Sequence, residues 1–153
     1  MKKFPITVVL DNIRSALNVG AIFRTCDATG VEKLYLCGIT PYPPHNRIPK
    51  TALGAIETVE WEYAKSTSEV LEKLKKDGKK IVSVENTKDS VEFTKYKFEA
   101  PVVLIFGNEI DGVGEDILKI SDAVKIPMFG TKESLNVATT VGIALYEVVR
   151  QIS

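Results

Sequence analysis

The sequence predicts an α/β fold built on a largely parallel sheet with helices on both faces. Three observations carry that expectation. Strand-like and helix-like segments alternate along the chain. Several strand-like segments, above all Ile6 to Leu10 and Val102 to Phe106, are apolar at nearly every position, as strands buried on both faces are. No repeat, low-complexity tract or linker interrupts the 153 residues, so a single domain over 1–153 with one substantial core is expected.

The elements follow in order. Ile6 to Leu10 is a β-rich apolar run broken by Asp11-Asn12, and a loop with Arg14 leads to a helix near Asn18-Val19-Gly20-Ala21. Ala21, Phe23 to Cys26 and Ala28 supply its apolar side, and Gly30 suits the residue just past its end, where a left-handed backbone is common. Lys33 to Cys37 reads as the next strand. Thr40 to Lys50 is an eleven-residue Pro-rich loop carrying Tyr42, Arg47 and Lys50; loops this long inside compact domains are usually functional or disordered, and those side chains favour function. Thr58 to Tyr63 alternates Val59, Trp61 and Tyr63 against polar neighbours, the pattern of a half-exposed strand. Ser66 with Glu69 three residues on forms a capping-box pattern, and the helix uses Val70, Leu71 and Leu74 before stopping at Asp77-Gly78. Lys80 to Val84 is a further strand, 86–99 a polar connection without a clear element, Val102 to Phe106 the most apolar strand, and Glu115 to Ile120 a short helix.

The last stretch organises the rest. A strand from Ala123 to Ile126 runs through Pro127 and a Gly-containing loop into a helix opening at Ser134, a favoured N-cap because its hydroxyl accepts from an orphan helix N–H. The helix has two apolar stripes: Leu135, Ala138, Gly142, Leu145, Val149 and Ile152, and Val137, Val141, Ala144 and Val148. Apolar surface wider than one face implies cover on more than one side, by the chain or by another subunit. Strand–loop–helix units bind ligands at their loop ends, where helix N–H groups point.

Bulk properties exclude several classes. No apolar run approaches the length of a membrane span, and the N-terminal Met1-Lys2-Lys3-Phe4-Pro5 lacks the apolar region and cleavage site of a signal peptide. Cys26 and Cys37 read as buried reduced thiols, which fits a cytoplasmic location. A single His and no ligand cluster predict no metal. Net charge is zero, but residues 1–56 carry seven Lys/Arg against three acids while 101–153 carry four against seven, leaving a local basic surface in the first third.

Taken singly, the candidate site residues have plain structural readings. Gly107 suits a tight turn after its strand, Asn18-Val19-Gly20 a helix start, Arg24 a solvated helix position, and Ser134 and Asn136 capping groups. Composition and periodicity alone support a nucleotide-sized ligand at the carboxyl ends of parallel strands.

The combination says more. Leu10-Asp11-Asn12-Ile13-Arg14 with Asn18-Val19-Gly20-Ala21-Ile22-Phe23-Arg24-Thr25 resembles the first motif of the SpoU/TrmH family of RNA ribose methyltransferases, in the SPOUT class. Leu104-Ile105-Phe106-Gly107-Asn108-Glu109-Ile110-Asp111-Gly112-Val113 is similar to the second, and Ile126-Pro127-Met128 through Ser134-Leu135-Asn136-Val137-Ala138 to Tyr146-Glu147 and Arg150-Gln151 to the third. The order and spacing match over essentially the whole chain. Asp111, where a small or basic residue is common, and Thr139-Thr140 are the departures.

The resemblance implies a SPOUT-type α/β knot, with the C-terminal segment threaded into a deep trefoil against the general rule that chains are unknotted. It implies a homodimer through the knot region and C-terminal helix, S-adenosylmethionine as cofactor, and methyl transfer to a ribose 2′-hydroxyl. The residues implied for catalysis are Arg24, Asn18, Glu109, Ser134 and Asn136. Those implied for the cofactor are Leu104, Phe106, Gly107, Asn108, Glu109, Ile126, Met128, Ser134, Leu135, Asn136 and Ala138. Ile126 and Leu135 suit an adenine face, and Gly107 a close backbone approach. No separate RNA-binding extension is read, so RNA is expected to be gripped by the dimer surface, with Arg14, Arg24, Arg47, Lys50 and Lys132 as candidates, or presented by a partner; small members of the family often act on transfer RNA, which the resemblance favours over ribosomal RNA. Rival readings are a base-nitrogen methyltransferase, a catalytically silent RNA-binding or chaperone module of the same fold, and a flavodoxin-like nucleotide-binding protein. The last would need a Gly-rich phosphate loop after the first strand, where Asp11-Asn12-Ile13-Arg14-Ser15 stands instead.

Overall fold

The computed structural model describes residues 2–153. Seven strands form one sheet: β1 (Phe4–Asp11), β2 (Val31–Cys37), β3 (Trp61–Ala64), β4 (Lys80–Val84), β5 (Val91–Glu92), β6 (Val102–Gly107) and β7 (Asp122–Lys125), in the order β3-β2-β1-β6-β4-β7-β5. Every paired neighbour is parallel. Five helices complete the chain: α1 (Ala16–Ala28), α2 (Pro49–Ala52), α3 (Thr67–Lys76), α4 (Glu115–Leu118) and α5 (Val137–Ile152). The mostly parallel α/β architecture is the one expected. Among the described residues no helix is long and apolar enough to cross a membrane.

Uniformly apolar strands sit at the centre because both their faces are covered. Ile6, Val8 and Leu10 of β1, with Val102, Leu104 and Phe106 of β6, join Val19, Ile22 and Phe23 of α1 and Val141, Ala144, Leu145 and Val148 of α5 in one core. The alternate residues Val9, Val103 and Ile105 join Leu71 and Leu74 of α3 and Ile117 of α4 in the other. The period of two along each strand thus feeds two cores. Cys26 and Cys37 are buried free thiols, as expected.

Local signals set most boundaries. Ser15 caps α1 by accepting from Asn18 N at 3.1 Å, and Gly30 follows the helix end at φ 68°. Ser66 caps α3 by accepting from Glu69 N at 3.2 Å. β7 runs from Asp122 to Lys125 rather than from Ala123 to Ile126, α4 stops at Leu118 rather than Ile120, and Val91–Glu92 forms a strand within 86–99. Three further differences have a visible cause. The third strand begins at Trp61 rather than Thr58, because Ala55–Glu57 forms a 3-10 turn that Thr58 closes with its hydroxyl on Asp27 Oδ1 at 2.7 Å. Pro49 opens α2 at the end of the long loop, a position where its missing N–H is harmless. The final helix starts three residues later than Ser134. Asn136 is its N-cap, accepting from Ala138 N at 2.9 Å and Thr139 N at 3.4 Å, which leaves Ser134 in the preceding loop.

The two-sided character of α5 is only partly used within the chain. Val137, Val141, Ala144, Leu145 and Val148 are buried, Ala138, Gly142, Val149 and Ile152 are half-buried, and Ile143 and Tyr146 are exposed.

Gly20 lets α1 meet the loop before α2. A Cβ there would collide with the Ile48 carbonyl oxygen and the Thr51 hydroxyl, which itself donates to Leu17 O at 2.7 Å. Gly20→Ala therefore costs about 2 kcal/mol by overpacking. Gly130→Ala, whose Cβ would meet nothing within 4 Å, stays within about 0.5 kcal/mol of the parent. Urea unfolding of the two variants checks the contrast, and equal midpoints would refute it.

Asp11 closes β1 in a buried position, accepting from Thr67 Oγ1 at 2.6 Å. Burial pushes its carboxyl above the usual range, with Asp116 adding to the effect and the Thr67 hydroxyl opposing it. A carboxyl raised by folding costs stability once ionised, so stability falls as pH climbs from the ordinary carboxyl range through the raised value. Asp11→Asn keeps an acceptor for Thr67 and is expected to unfold at higher urea than the parent near neutral pH. The gap should close below the ordinary carboxyl range, and a gap that widens in acid would contradict this account.

Candidate active site

The carboxyl ends of β4, β6 and β7 open into a cleft of about 800 Å³. Val84, Glu85 and Thr87 form one wall, Phe106 to Gly112 a second, and Ile126, Met128, the 130–135 loop, Val137 and Thr140 the third. This volume falls within the range of small-molecule sites. Among the described residues, no backbone N–H or carbonyl of residues 126–135 is hydrogen-bonded within the chain. Backbone groups are obligatory donors and acceptors, so this run, half-buried at 126–128 and 135 and exposed at 129–134, offers them to solvent or to whatever fills the cleft. Ile126, Met128 and Leu135 add apolar surface beside them.

The turn after β6 is held by close backbone contact. A Cβ on Gly107 would collide with the Gly112 backbone, and one on Gly112, at φ 65°, would collide with the Glu85 carboxylate. Gly107 is thus required by its own turn, and it also lines the cleft. Asn108 is buried and spends its side chain internally, donating to Asn12 O at 3.1 Å and accepting from Ile110 N at 2.9 Å and Asp111 N at 2.8 Å. Its side chain shapes the turn instead of offering free polar atoms to a cofactor. Glu85 lies half-buried against this turn; desolvation pushes its carboxyl up, and the Val113 N–H partly offsets that.

A chain of side-chain hydrogen bonds joins the three sequence motifs. Asn136 Nδ2 donates to Asn18 Oδ1 at 3.2 Å, and Asn18 Nδ2 donates to Glu109 Oε1 at 3.2 Å. These residues come from the start of α5, the first turn of α1 and the turn after β6. The Asn136 amide oxygen caps α5 while its amide nitrogen reaches Asn18, so one side chain fixes the helix start and the network together. Glu109 also lines the cleft, which connects the network to it. Ser134 lines the cleft and is exposed, with no hydrogen bond of its own within the chain.

Other expected residues lie elsewhere. Leu104 is wholly buried in β6 and Ala138 is half-buried in α5; neither lines the cleft. Arg24 is exposed on α1, outside the cleft lining and free of any ion pair among the described residues. Six residues separate it from Asn18, about 9 Å along the helix and about 120° around it, so the two side chains leave different faces. Arg14 pairs with Asp111 at 3.5 Å at the surface, Arg47 and Lys50 stand exposed in the loop and α2, and Lys132 is exposed on the cleft rim. Sequence reasoning passed over Glu85 and Thr87. The position of Glu85 just past the carboxyl end of an apolar parallel strand was the available signal.

Comparison with known proteins places these features in a family. The family model described as the SpoU rRNA methylase family matches residues 5–146. A tRNA (guanosine(18)-2′-O)-methyltransferase of Aquifex aeolicus is 36% identical over 151 residues, spanning 95% of this chain and 69% of that protein. The crystal structure of an AdoMet-bound rRNA methyltransferase from Sinorhizobium meliloti superposes with a TM-score of 0.91 at 28% identity, covering 99% of this chain and 58% of that one. A structure described as giving insights into the 2-OH methylation of C/U34 on tRNA superposes with a TM-score of 0.87 at 28% identity, covering 97% and 98%. With a model match over nearly all its length and the three motifs meeting around one cleft, the chain belongs to the SpoU rRNA methylase family.

Proposed function

We propose that the protein transfers a methyl group from S-adenosylmethionine to a ribose 2′-hydroxyl of RNA, transfer RNA being the favoured substrate. The observation that carries this reading is the meeting of two features: the unpaired 126–135 backbone in a cleft of nucleoside size, and the Asn136–Asn18–Glu109 chain at its edge. The donor set suits the cofactor. Free backbone groups and the apolar Ile126, Met128 and Leu135 match an adenosine, and the lining acids Glu85 and Glu109 match a ligand with cationic groups. When bound, the cofactor supplies a methyl already activated on a sulfonium, which is why no metal is called for. The relatives acting on tRNA guanosine 18 and on tRNA C/U34 support the substrate choice.

What the chain must add is position and charge. Holding the acceptor hydroxyl in line is worth about 7–11 kcal/mol in favourable cases. Glu109, oriented by Asn18, is the carboxylate at the cleft edge. Arg24 is assigned to the substrate: its guanidinium binds phosphate through paired N–H groups and stabilises the developing alkoxide. Ser134, free of internal bonds, is left to donate toward substrate or cofactor. Arg47, Lys50 and Lys132 supply further cations for the RNA backbone, and Arg14 does so on leaving Asp111.

Two further parts of the reading concern architecture. The C-terminal segment is taken to thread through a loop into a trefoil knot, in keeping with its family. The protein is taken to act as a homodimer through the knot region and α5, supported by Ile143 and Tyr146 on α5 and by Phe129, which is 94% exposed beside the cleft. In that dimer the partner's copy of Arg24 completes each cleft, because Arg24 stands off the cleft of its own chain.

Transfer of labelled methyl to RNA from cells lacking the gene, followed by nucleoside mass spectrometry, tests the reaction. A 2′-O-methylated nucleoside in the tRNA fraction is expected, with Arg24→Ala slower by about a hundredfold. A methylated base would replace the ribose assignment, and cofactor binding without transfer would return the silent module.

Mixing tests the dimer. Co-expressed Arg24→Ala and Glu109→Gln chains, each slowed about a hundredfold or more alone, should regain about a quarter of parental activity, since half of a random C2 population is mixed and each mixed pair rebuilds one of two sites. Activity no greater than that of the single variants would place Arg24 and Glu109 in the same chain's site.

A further inference from the structure

The geometry points to the outer face of Tyr42 as a stacking platform for an unpaired base flanking the methylated nucleotide. This inference rests on the RNA reading above and adds to it a side chain that holds a base beside the reacting ribose. The inner face of the Tyr42 ring stacks on Tyr63 at 4.0 Å between centroids and 26° between planes. Tyr63 belongs to the edge strand β3, pairs in register with Leu36 and donates its hydroxyl to Gly38 O at 2.8 Å. The stack is therefore anchored to the sheet edge, yet Tyr42 remains 43% exposed although Tyr63 covers one face of its ring. A large aromatic surface held rigid on one side and open on the other is what base stacking uses.

The surroundings suit nucleic acid. From Lys33 to Ile56 the sequence contains no Asp or Glu, while it carries Lys33, Arg47 and Lys50. Arg47 and Lys50 are exposed and form no ion pair among the described residues. The loop is also fastened to the site. It docks on α1 through the Gly20 contact with Ile48 and Thr51, two residues along α1 from Asn18.

Placement along the sheet relates the platform to the cleft. Tyr63 lies near the carboxyl end of β3, and Glu109 just past the carboxyl end of β6, three strands away in the order β3-β2-β1-β6. At about 4.8 Å per step the separation is roughly 14 Å. Both stand at the same end of the sheet, so one strand of RNA crossing that end meets Glu109 at the reacting ribose and Tyr42 at a nearby base. A base inside a helix is already stacked on both faces and gives Tyr42 nothing to hold, which is why the platform selects unpaired RNA.

The test uses the full chain with two probes, oligouridylate and a short RNA duplex, and bulk tRNA from cells lacking the gene for kinetics. Tyr42→Ala should weaken oligouridylate binding about tenfold and raise the KM for tRNA, leaving duplex binding and cofactor affinity at parental values. Tyr42→Trp should restore oligouridylate binding, and its added indole emission should be quenched by oligouridylate but not by duplex. Parental RNA affinity in Tyr42→Ala, or a loss that Trp fails to rescue, would overturn the platform, the latter making Tyr42 a staple for its own loop. A parental protein that methylates no RNA would instead strike the function reading, so the two failures are separable.

Discussion

The in-register pairing of β1 with β6 is the constraint on which the site depends. Asp11 of β1 lies opposite Gly107 of β6, so both strands end at the same level. The loops that follow must share one crevice, and their polar side chains interlock there: Asn108 donates to the Asn12 carbonyl, and Asn12 Oδ1 accepts from Ile39 N at 3.0 Å. A shift of one residue would exchange the two cores along both strands, because the side-chain period is two. Burial of Val8, Leu10, Leu104 and Phe106 on one face and of Val9, Val103 and Ile105 on the other therefore fixes the level at which Glu109 emerges. The chemistry sits where apolar packing leaves it.

Much of this was legible in the sequence because it rests on local or periodic signals. The double-sided strands show as apolar runs, Ser66 and Glu69 announce α3, and Gly30 and Gly78 stop α1 and α3 with left-handed backbones at φ 68° and 83°. The Asn18–Glu109–Asn136 set was also within reach, but only as three motif fragments, and its hydrogen bonding is a product of the sheet order. Other features depend on contacts between distant segments. Ser134 and Asn136 are both good cap residues, and nothing local decides between them; the bond from Asn136 to Asn18 does. Glu85 falls between the strand ending at Val84 and the polar 86–99 connection, and its meaning comes from Gly112, twenty-seven residues away in sequence.

The glycines teach the same distinction. Gly107 invited a reading in which missing side-chain bulk makes room for a ligand. Its actual neighbour is Gly112, whose own neighbour is Glu85, so the three residues form a stack in which each absent Cβ admits the next group. Gly20 likewise admits the Ile48 carbonyl rather than any substrate. A glycine in a functional motif can serve the site by fixing its walls, and the consequence for function is rigidity of the turn that carries Glu109.

Charge is distributed in keeping with this division between wall and substrate. Seven ion pairs form among the described residues, and they use Arg14, Lys33, Lys79, Lys80, Lys95 and Arg150. Arg24, Arg47, Lys50 and Lys132 join none. An exposed ion pair is worth little to stability, so leaving these four unpaired costs the fold almost nothing. For association with RNA the difference is large, since a free cation replaces condensed counterions on phosphate, whereas a paired one must first give up its carboxylate. Arg24 and Glu109 illustrate the point within one motif set. Joined to each other they would neutralise the charges that an acceptor ribose and its phosphate need; with Glu109 at the edge of its own chain's cleft and Arg24 exposed away from it, both remain available to substrate.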